Sequence, residues 1–320
     1  MDLTLTDDQQ LVQTTAREFL TGRASADLWK EIVELGWTGL TVPEEHGGIG
    51  ADFTDACLIA EELGRAGLAT PFVGTVAGAV TIARFGSDDQ RQRWLPAIVE
   101  GAAIALPSAE ADLSVTGSRV FGRAPFVPFA AESAALLLAD GLVDGDASGI
   151  SSERLDVVGN EPVYAVTFDS VPIQPLPDAT PYATVLTCAE MVGGAQAVLD
   201  LTVEYASQRR QFGQPIGSFQ AVQHHCANMA IDVLGARFAT YEAAWHLGTG
   251  SDAAMAVSTA KAIVSDAYQR VCALGHQVHG AIGFTAEHDL HRYLRHATTA
   301  ALSYGDADFH LDQLATRLGL

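Results

Sequence analysis

Arg209-Arg210-Gln211-Phe212-Gly213, Gly217-Ser218-Phe219-Gln220 and Gln277-Val278-His279-Gly280-Ala281-Ile282-Gly283-Phe284 decide how this sequence is read. Each run stands at the end of a helical pattern or in a break within one. Each joins a cation or an amide donor to glycine. Glycine lets a backbone approach closely and the donors neutralise charge, so the mixture suits a polyanion such as a dinucleotide pyrophosphate.

Outward from these runs, residues from about 177 to 320 carry long helical patterns. Met191, Val192, Ala195, Val198, Leu199, Thr202 and Val203 trace one apolar face, and Val222, Cys226, Met229, Val233 and Leu234 trace another, as in a four-helix bundle. Residues 104–176 lose that periodicity. Short apolar runs at Ala134 to Leu138, Leu142-Val143 and Val163 to Phe168 alternate with Asp-Gly, Gly-Asp and Pro-bearing turns, which predicts a small antiparallel β domain. Residues 1–103 are helical again. Thr6 and Ser87, each followed by acidic residues, read as helix N-caps, and Pro43 to Gly50 reads as a turn-rich break. The expected architecture is therefore mainly α with a small β domain between two helical ones: 1–103, 104–176 and 177–320.

The 320 residues are 48% hydrophobic, enough for a large core over two or three domains. A net charge of -21 argues against a nucleic-acid binder, which needs a basic footprint, and leaves Arg209 and Arg210 as local cations for any phosphate. Cys57, Cys188, Cys226 and Cys272 form no CxxC and no zinc-site spacing, so no metal is expected and the thiols read as reduced core residues of a cytoplasmic protein. Met1 to Asp8 lacks the basic and apolar regions of a signal peptide. The weakly polar Pro71 to Ala83 is too short to span a bilayer and reads as a buried helix.

The three opening runs resemble, in order, the flavin-binding half of the acyl-CoA dehydrogenase family. Val42-Pro43-Glu44-Glu45-His46-Gly47-Gly48-Ile49-Gly50 with Glu61-Glu62-Leu63-Gly64 is similar to the family's N-terminal domain, and Glu287-His288-Asp289-Leu290-His291-Arg292-Tyr293-Leu294-Arg295 continues its C-terminal signature. The resemblance implies FAD as cofactor, an acyl-CoA substrate and electron-transfer flavoprotein as the usual electron acceptor. It also implies that Arg209, Gln211, Phe212 and Gln220, together with Gln277, Gly280 and Ala281, reach across a subunit interface to the pyrophosphate and adenosine end of a neighbour's FAD. Ala281 stands where a second glycine is usual.

The sequence departs from that family where the chemistry lies. The glutamate that takes the substrate's α-proton commonly stands shortly after the Arg-x-x-Arg element. Counting from Arg292 and Arg295 puts Tyr304 there, a phenol with an ordinary pKa of ~10 and a poor base. Asp306 is two residues off. The alternative base position, on an earlier helix, holds Ala183, with Thr184 where an arginine is common. Glu190 lies about two turns further, roughly 10 Å, a weak candidate that reads more simply as an acid near a helix N-terminus at the bundle edge. The segments expected to cradle the isoalloxazine ring, Leu106 to Asp112 and Phe126-Val127-Pro128-Phe129, lack the usual hydroxyl triplet and loop glycine.

What would act on the chain's own ring and substrate is thus degraded, and what would act on a neighbour's cofactor is kept. That asymmetry, by resemblance, implies a subunit lacking its own catalytic Glu. It would complete a partner's FAD site in an α2β2 enzyme with a homologous catalytic subunit, such as those acting on steroid side-chain thioesters. A self-sufficient dehydrogenase with a relocated base and a non-enzymatic scaffold stay open as alternatives.

Overall fold

The computed structural model describes residues 4–23, 28–285 and 287–320. Met1, Asp2 and Leu3, part of the N-terminal stretch read above, lie outside the described residues.

The first helices are α1 (Asp7–Leu20), α2 (Leu28–Glu34), α3 (Phe53–Ala66), α4 (Phe72–Phe85) and α5 (Asp88–Val99). Thr6 caps α1 and Ser87 caps α5, each through a reciprocal capping box closed by a glutamine, Gln9 and Gln90. The Pro71 to Ala83 stretch is the buried helix α4, whose face from Thr75 to Ile82 is wholly inside.

Short strands follow. β1 (Ile104–Ala105), β4 (Ala135–Leu138), β5 (Gly141–Asp144) and β8 (Gln174–Pro175) form one sheet. β2 (Asp112–Thr116), β3 (Arg119–Pro128), β6 (Ile150–Leu155) and β7 (Val163–Pro172) form a second, in the order β2-β3-β7-β6. Every pair is antiparallel except β1 with β4, which the β2-β3 hairpin separates in sequence. A separate apolar cluster around Val120, Val127, Leu136, Val166 and Phe168 holds this region together.

The chain closes with α6 (Thr180–Gln208), α7 (Gln220–Thr249), α8 (Ala254–His279), α9 (Leu290–Leu302) and α10 (Ala307–Leu318). Met191, Val192, Ala195, Val198 and Thr202 of α6 face the core as expected, while Val203 turns outward. On α7, Met229 and Val233 are buried, but Leu234 is 50% exposed. Here α7 lies with one side to solvent, so of these adjacent residues, about 100° apart, Val233 faces in and Leu234 faces out.

The N-terminal helices are tied to this bundle through α3 and α6. Gly64 packs against the backbone of Glu190, where an added Cβ would lie 2.0 Å from its carbonyl oxygen, and Gly193 packs likewise against Glu61. The two backbones touch because neither glycine has a side chain. Two buried carboxylates of α3 flank the crossing, and both are paired. Glu61 accepts from Arg237 Nη2 at 2.9 Å and from the Tyr241 hydroxyl at 2.7 Å. Glu62 holds Arg17 in a two-point contact at 2.7 and 3.0 Å. The acidic pair that marks α3 in the sequence is therefore structural.

Candidate functional site

The three opening runs meet at one end of the bundle. After α6, β9 (Arg210–Gln211) and β10 (Gln214–Pro215) form a two-stranded hairpin with Phe212 and Gly213 at its tip. Both tip residues have positive φ, +52° and +83°, the primed turn that suits hairpin twist. A phenylalanine in that conformation is strained, and its ring is 91% exposed, touching Phe219 edge-on at 6.1 Å. Arg209 caps α6 through its backbone, and its guanidinium has no hydrogen bond or ion pair among the described residues; Arg210 reaches only the Gly213 carbonyl, at 3.3 Å. Gln211 and Gln220 are exposed beside them, and Gln220 opens α7, whose first turn has no side-chain cap.

The second half of this site ends α8. Gln277, Gly280 and Ala281 are exposed. Gly280 has φ +64° and ψ -142°, a conformation essentially reserved for glycine, and nothing lies within 4 Å of where its Cβ would be. Gly213 is equally open. The two halves are joined by Tyr205, one turn before Arg209, which stacks on His279 at 4.4 Å. This end of the bundle thus presents free guanidinium and amide donors around two open glycines, which fits the phosphates and adenosine of a dinucleotide.

The region around Tyr304 is built in the opposite way. Leu106, Ser108, Pro128, Phe129 and Tyr304, which the sequence places in three separate segments, line one cavity together with Glu190. The segments are stitched: Ser108 N–H donates to the Phe126 carbonyl at 2.8 Å, and Tyr304 N–H donates to the Ser108 carbonyl at 2.6 Å. Tyr304 takes φ +59°. Lys261 Nζ, fully buried, donates to the carbonyls of Ala301 and Gly305 at 2.9 and 2.8 Å, and the His310 ring bonds the Tyr304 carbonyl. The cavity that these segments leave has a volume of about 60 Å³ and is partly open to solvent.

No base sits at the expected points. Burial drives the Tyr304 phenol far above its ordinary range, and the charges of Glu161 and Glu190 push the same way. Asp306 is engaged as the N-cap of α10, accepting from Phe309 N–H at 2.8 Å. Ala183 is a buried core residue, and the Thr184 hydroxyl is spent on the Thr180 carbonyl.

Glu190 is corrected by the structure. α6 begins at Thr180, so Glu190 stands nearly three turns in and faces the interior cavity; it is not an acid of the helix terminus at the bundle edge. Glu161, from the loop before β7, faces it. Neither carboxyl has a hydrogen bond or ion pair among the described residues. What surface they expose opens into the cavity, where little water can solvate charge. Desolvation raises Glu161 to about 7 and lifts Glu190 well above the carboxylate range, with repulsion from Glu161 adding to it.

Sequence reasoning missed Glu161, which belongs to no motif and looks like any loop glutamate. It also missed Lys261, though a signal was present: it is one of two lysines in the sequence and interrupts an apolar helix stretch. Among the described residues no cluster of three or more His, Cys, Asp or Glu could hold a metal ion. No helix among them is long and apolar enough to cross a membrane.

Comparison with known proteins follows the same geography. Residues 6–102 match the family model for the acyl-CoA dehydrogenase N-terminal domain, and residues 181–319 match that for the C-terminal domain. The chain is 33% identical over 275 residues to acyl-CoA dehydrogenase IpdE2 of Mycobacterium tuberculosis, covering 86% of this chain and 81% of that protein. Among solved structures, a variant of the Tcur3481-Tcur3483 steroid ACAD superimposes with a TM-score of 0.92 at 27% identity over 99% of both chains. Butyryl-CoA dehydrogenase from Megasphaera elsdenii shares the fold, with a TM-score of 0.90 at 23% identity over the whole of both chains.

Proposed function

The chain belongs to the acyl-CoA dehydrogenase family, and on that premise we propose that it is the subunit that completes a partner's FAD site without carrying the base of the reaction. FAD is the family's cofactor and, when bound, accepts the hydride as the α,β-bond of an acyl-CoA thioester is desaturated. This chain's own part is binding: Arg209 and Arg210 neutralise phosphate charge, Gln211, Gln220 and Gln277 donate to it, and Gly280 and Ala281 let the backbone come close, with Phe212 covering the adenosine end.

The observation that carries the reading is the contrast in space. About 60 Å³ remains around Tyr304, whereas the hairpin and the Gly280 loop stand open with unpaired donors. A partner surface is also available. Ile231, Leu234, Phe238 and Trp245 make an exposed apolar stripe on α7, 69% exposed at Ile231. The partner that fits is a homologous subunit with an intact glutamate, in an α2β2 assembly. The similar steroid ACAD carries a compound, two-part name, which supports that arrangement and a steroid as the substrate class. Electron-transfer flavoprotein is the fitting acceptor, and four cysteines free of disulfides suit a cytoplasmic setting.

The test is co-purification with a homologous, base-bearing subunit and a count of FAD per chain. One FAD per pair, with none held by this chain alone, is expected. Flavin bound stoichiometrically by this chain alone would overturn the reading in favour of a self-sufficient dehydrogenase. One observation favours that second reading: Glu161 and Glu190 face the cavity unpaired, and Glu161 titrates near 7, close to what a general base needs. In that case Glu161→Gln or Glu190→Gln would abolish turnover by the isolated chain.

A further inference from the structure

His279 sits beneath the loop that carries Gly280 and Ala281; like His276 one turn earlier it is buried with Nε2 unpartnered, but it alone stacks on α6 through Tyr205. The ring is 4% exposed. Nδ1 lies 2.8 Å from the Gly275 carbonyl, an acceptor only, so Nδ1 carries the hydrogen and the ring is neutral as packed. Nε2 is then a bare lone pair, buried and without a partner. One ring face stacks on Tyr205, 4.4 Å away with 19° between planes, and His288 meets it edge-on at 4.8 Å.

The titratable groups that face His279 among the described residues include no carboxyl group. Tyr205 comes from α6, His288 from the segment after the loop, and His276 from the preceding turn of α8. Leu290 and Gly283 close the remaining side. No carboxylate among the described residues is placed to neutralise an imidazolium. The only help is the Gly275 carbonyl and the negative end of α8, and burial outweighs both, holding His279 below its ordinary range.

We infer that neutral His279 is a positioning residue that docks the Gly280–Ala281 loop onto α6, and that acid releases the loop by protonating it. A proton on Nε2 would create a buried, unpartnered N–H beside two other imidazoles. The charged ring gains solvation only by leaving the Tyr205 stack, and the loop then moves away from Arg209. The two halves of the anion site come apart without any change in Arg209 or Gln277 themselves. The inference rests on the proposed cofactor site only for its consequence; the loop motion belongs to this chain alone.

Hydrogen–deuterium exchange of the segment from Gly280 to Asp289, corrected for intrinsic chemical exchange, tests it in the isolated chain. Between pH 7.5 and 5.5 the segment is expected to exchange up to about tenfold faster, because a released imidazole of ordinary pKa ~6.5 is about ten-to-one protonated at the lower pH. His279→Phe keeps the aromatic stack and removes the proton site, so its exchange stays slow at both pH values. Tyr205→Leu removes the stack and exchanges fast at both, with far-UV circular dichroism confirming that both variants fold. Unchanged exchange in the parent chain on acidification, or undiminished acid sensitivity in His279→Phe, overturns the inference. Flavin retention by the assembled enzyme supplies the separate arm. If Arg209→Ala leaves FAD content intact while the exchange results hold, the cofactor-site reading fails and the loop mechanism stands.

Discussion

The cavity around Tyr304 and the end of the bundle around Arg209 both hold polar groups, yet they handle them in opposite ways. Around Tyr304 the backbone is stitched shut by Ser108, Lys261 and His310, and two carboxyls face a space of about 60 Å³ with nothing to bind. Around Arg209 the donors are free, the glycines are open, and a strained Phe212 is held out in solvent. Strain and unsatisfied donors persist where a ligand or partner satisfies them. The first region is packed around its own backbone, whereas the second leaves its donors at the surface.

The largest effect should come from prying the closed region apart. Gly193→Ala puts a methyl group where the Glu61 carbonyl already sits, so α3 and α6 must separate. Destabilisation of ~3 kcal/mol is expected from such overpacking, measurable by urea unfolding. A loss below 1 kcal/mol would show that the α3–α6 contact yields easily and that the cavity is soft.

Next is the open region. Arg209→Ala should cut FAD affinity of the assembled enzyme tenfold or more, since a charge-assisted hydrogen bond contributes about 1.5–3 kcal/mol. Thermal unfolding of the chain alone should barely move, because the guanidinium has no partner among the described residues.

A pH titration separates the two regions. Glu161 is raised from its ordinary value to about 7. Below pH ~4.5 it is protonated both folded and unfolded and costs nothing. As pH rises from 4.5 through 7, the unfolded chain loses the proton first, so folded stability falls, and above 7 the full penalty applies. Glu161→Gln should therefore leave stability unchanged at pH 4.5 and raise it by ~1–3 kcal/mol at pH 8. A variant less stable than the parent at pH 8 would mean that the carboxylate has a partner in the assembled protein.

The smallest effect is expected at Tyr304. Tyr304→Phe in the assembled enzyme should slow dehydrogenation less than threefold, whereas a positioned acid–base group contributes 10²–10⁴. A hundredfold loss would move the chemistry into this chain and erase the contrast between its two regions.

Much of this was legible in the sequence because it rests on local signals. Capping boxes at Thr6 and Ser87, the turn residues among the short strands, and the order of the three donor–glycine runs each depend on residues a few positions apart. The expectation that Tyr304 stands where the family's glutamate is common is likewise a matter of counting. Tertiary structure alone decided the rest. Glu190 looked like a helix-end acid because its burial depends on where α6 begins and on what Glu161, from another domain, brings opposite it. Glu61 and Glu62 became buried ion pairs only once Arg237 and Arg17 arrived from distant segments. His279 became a latch only when Tyr205 stacked on it. A sequence records which groups are present and how they are spaced along one element. Desolvation and pairing depend on which elements meet, and those set the charge state of a buried carboxyl or imidazole.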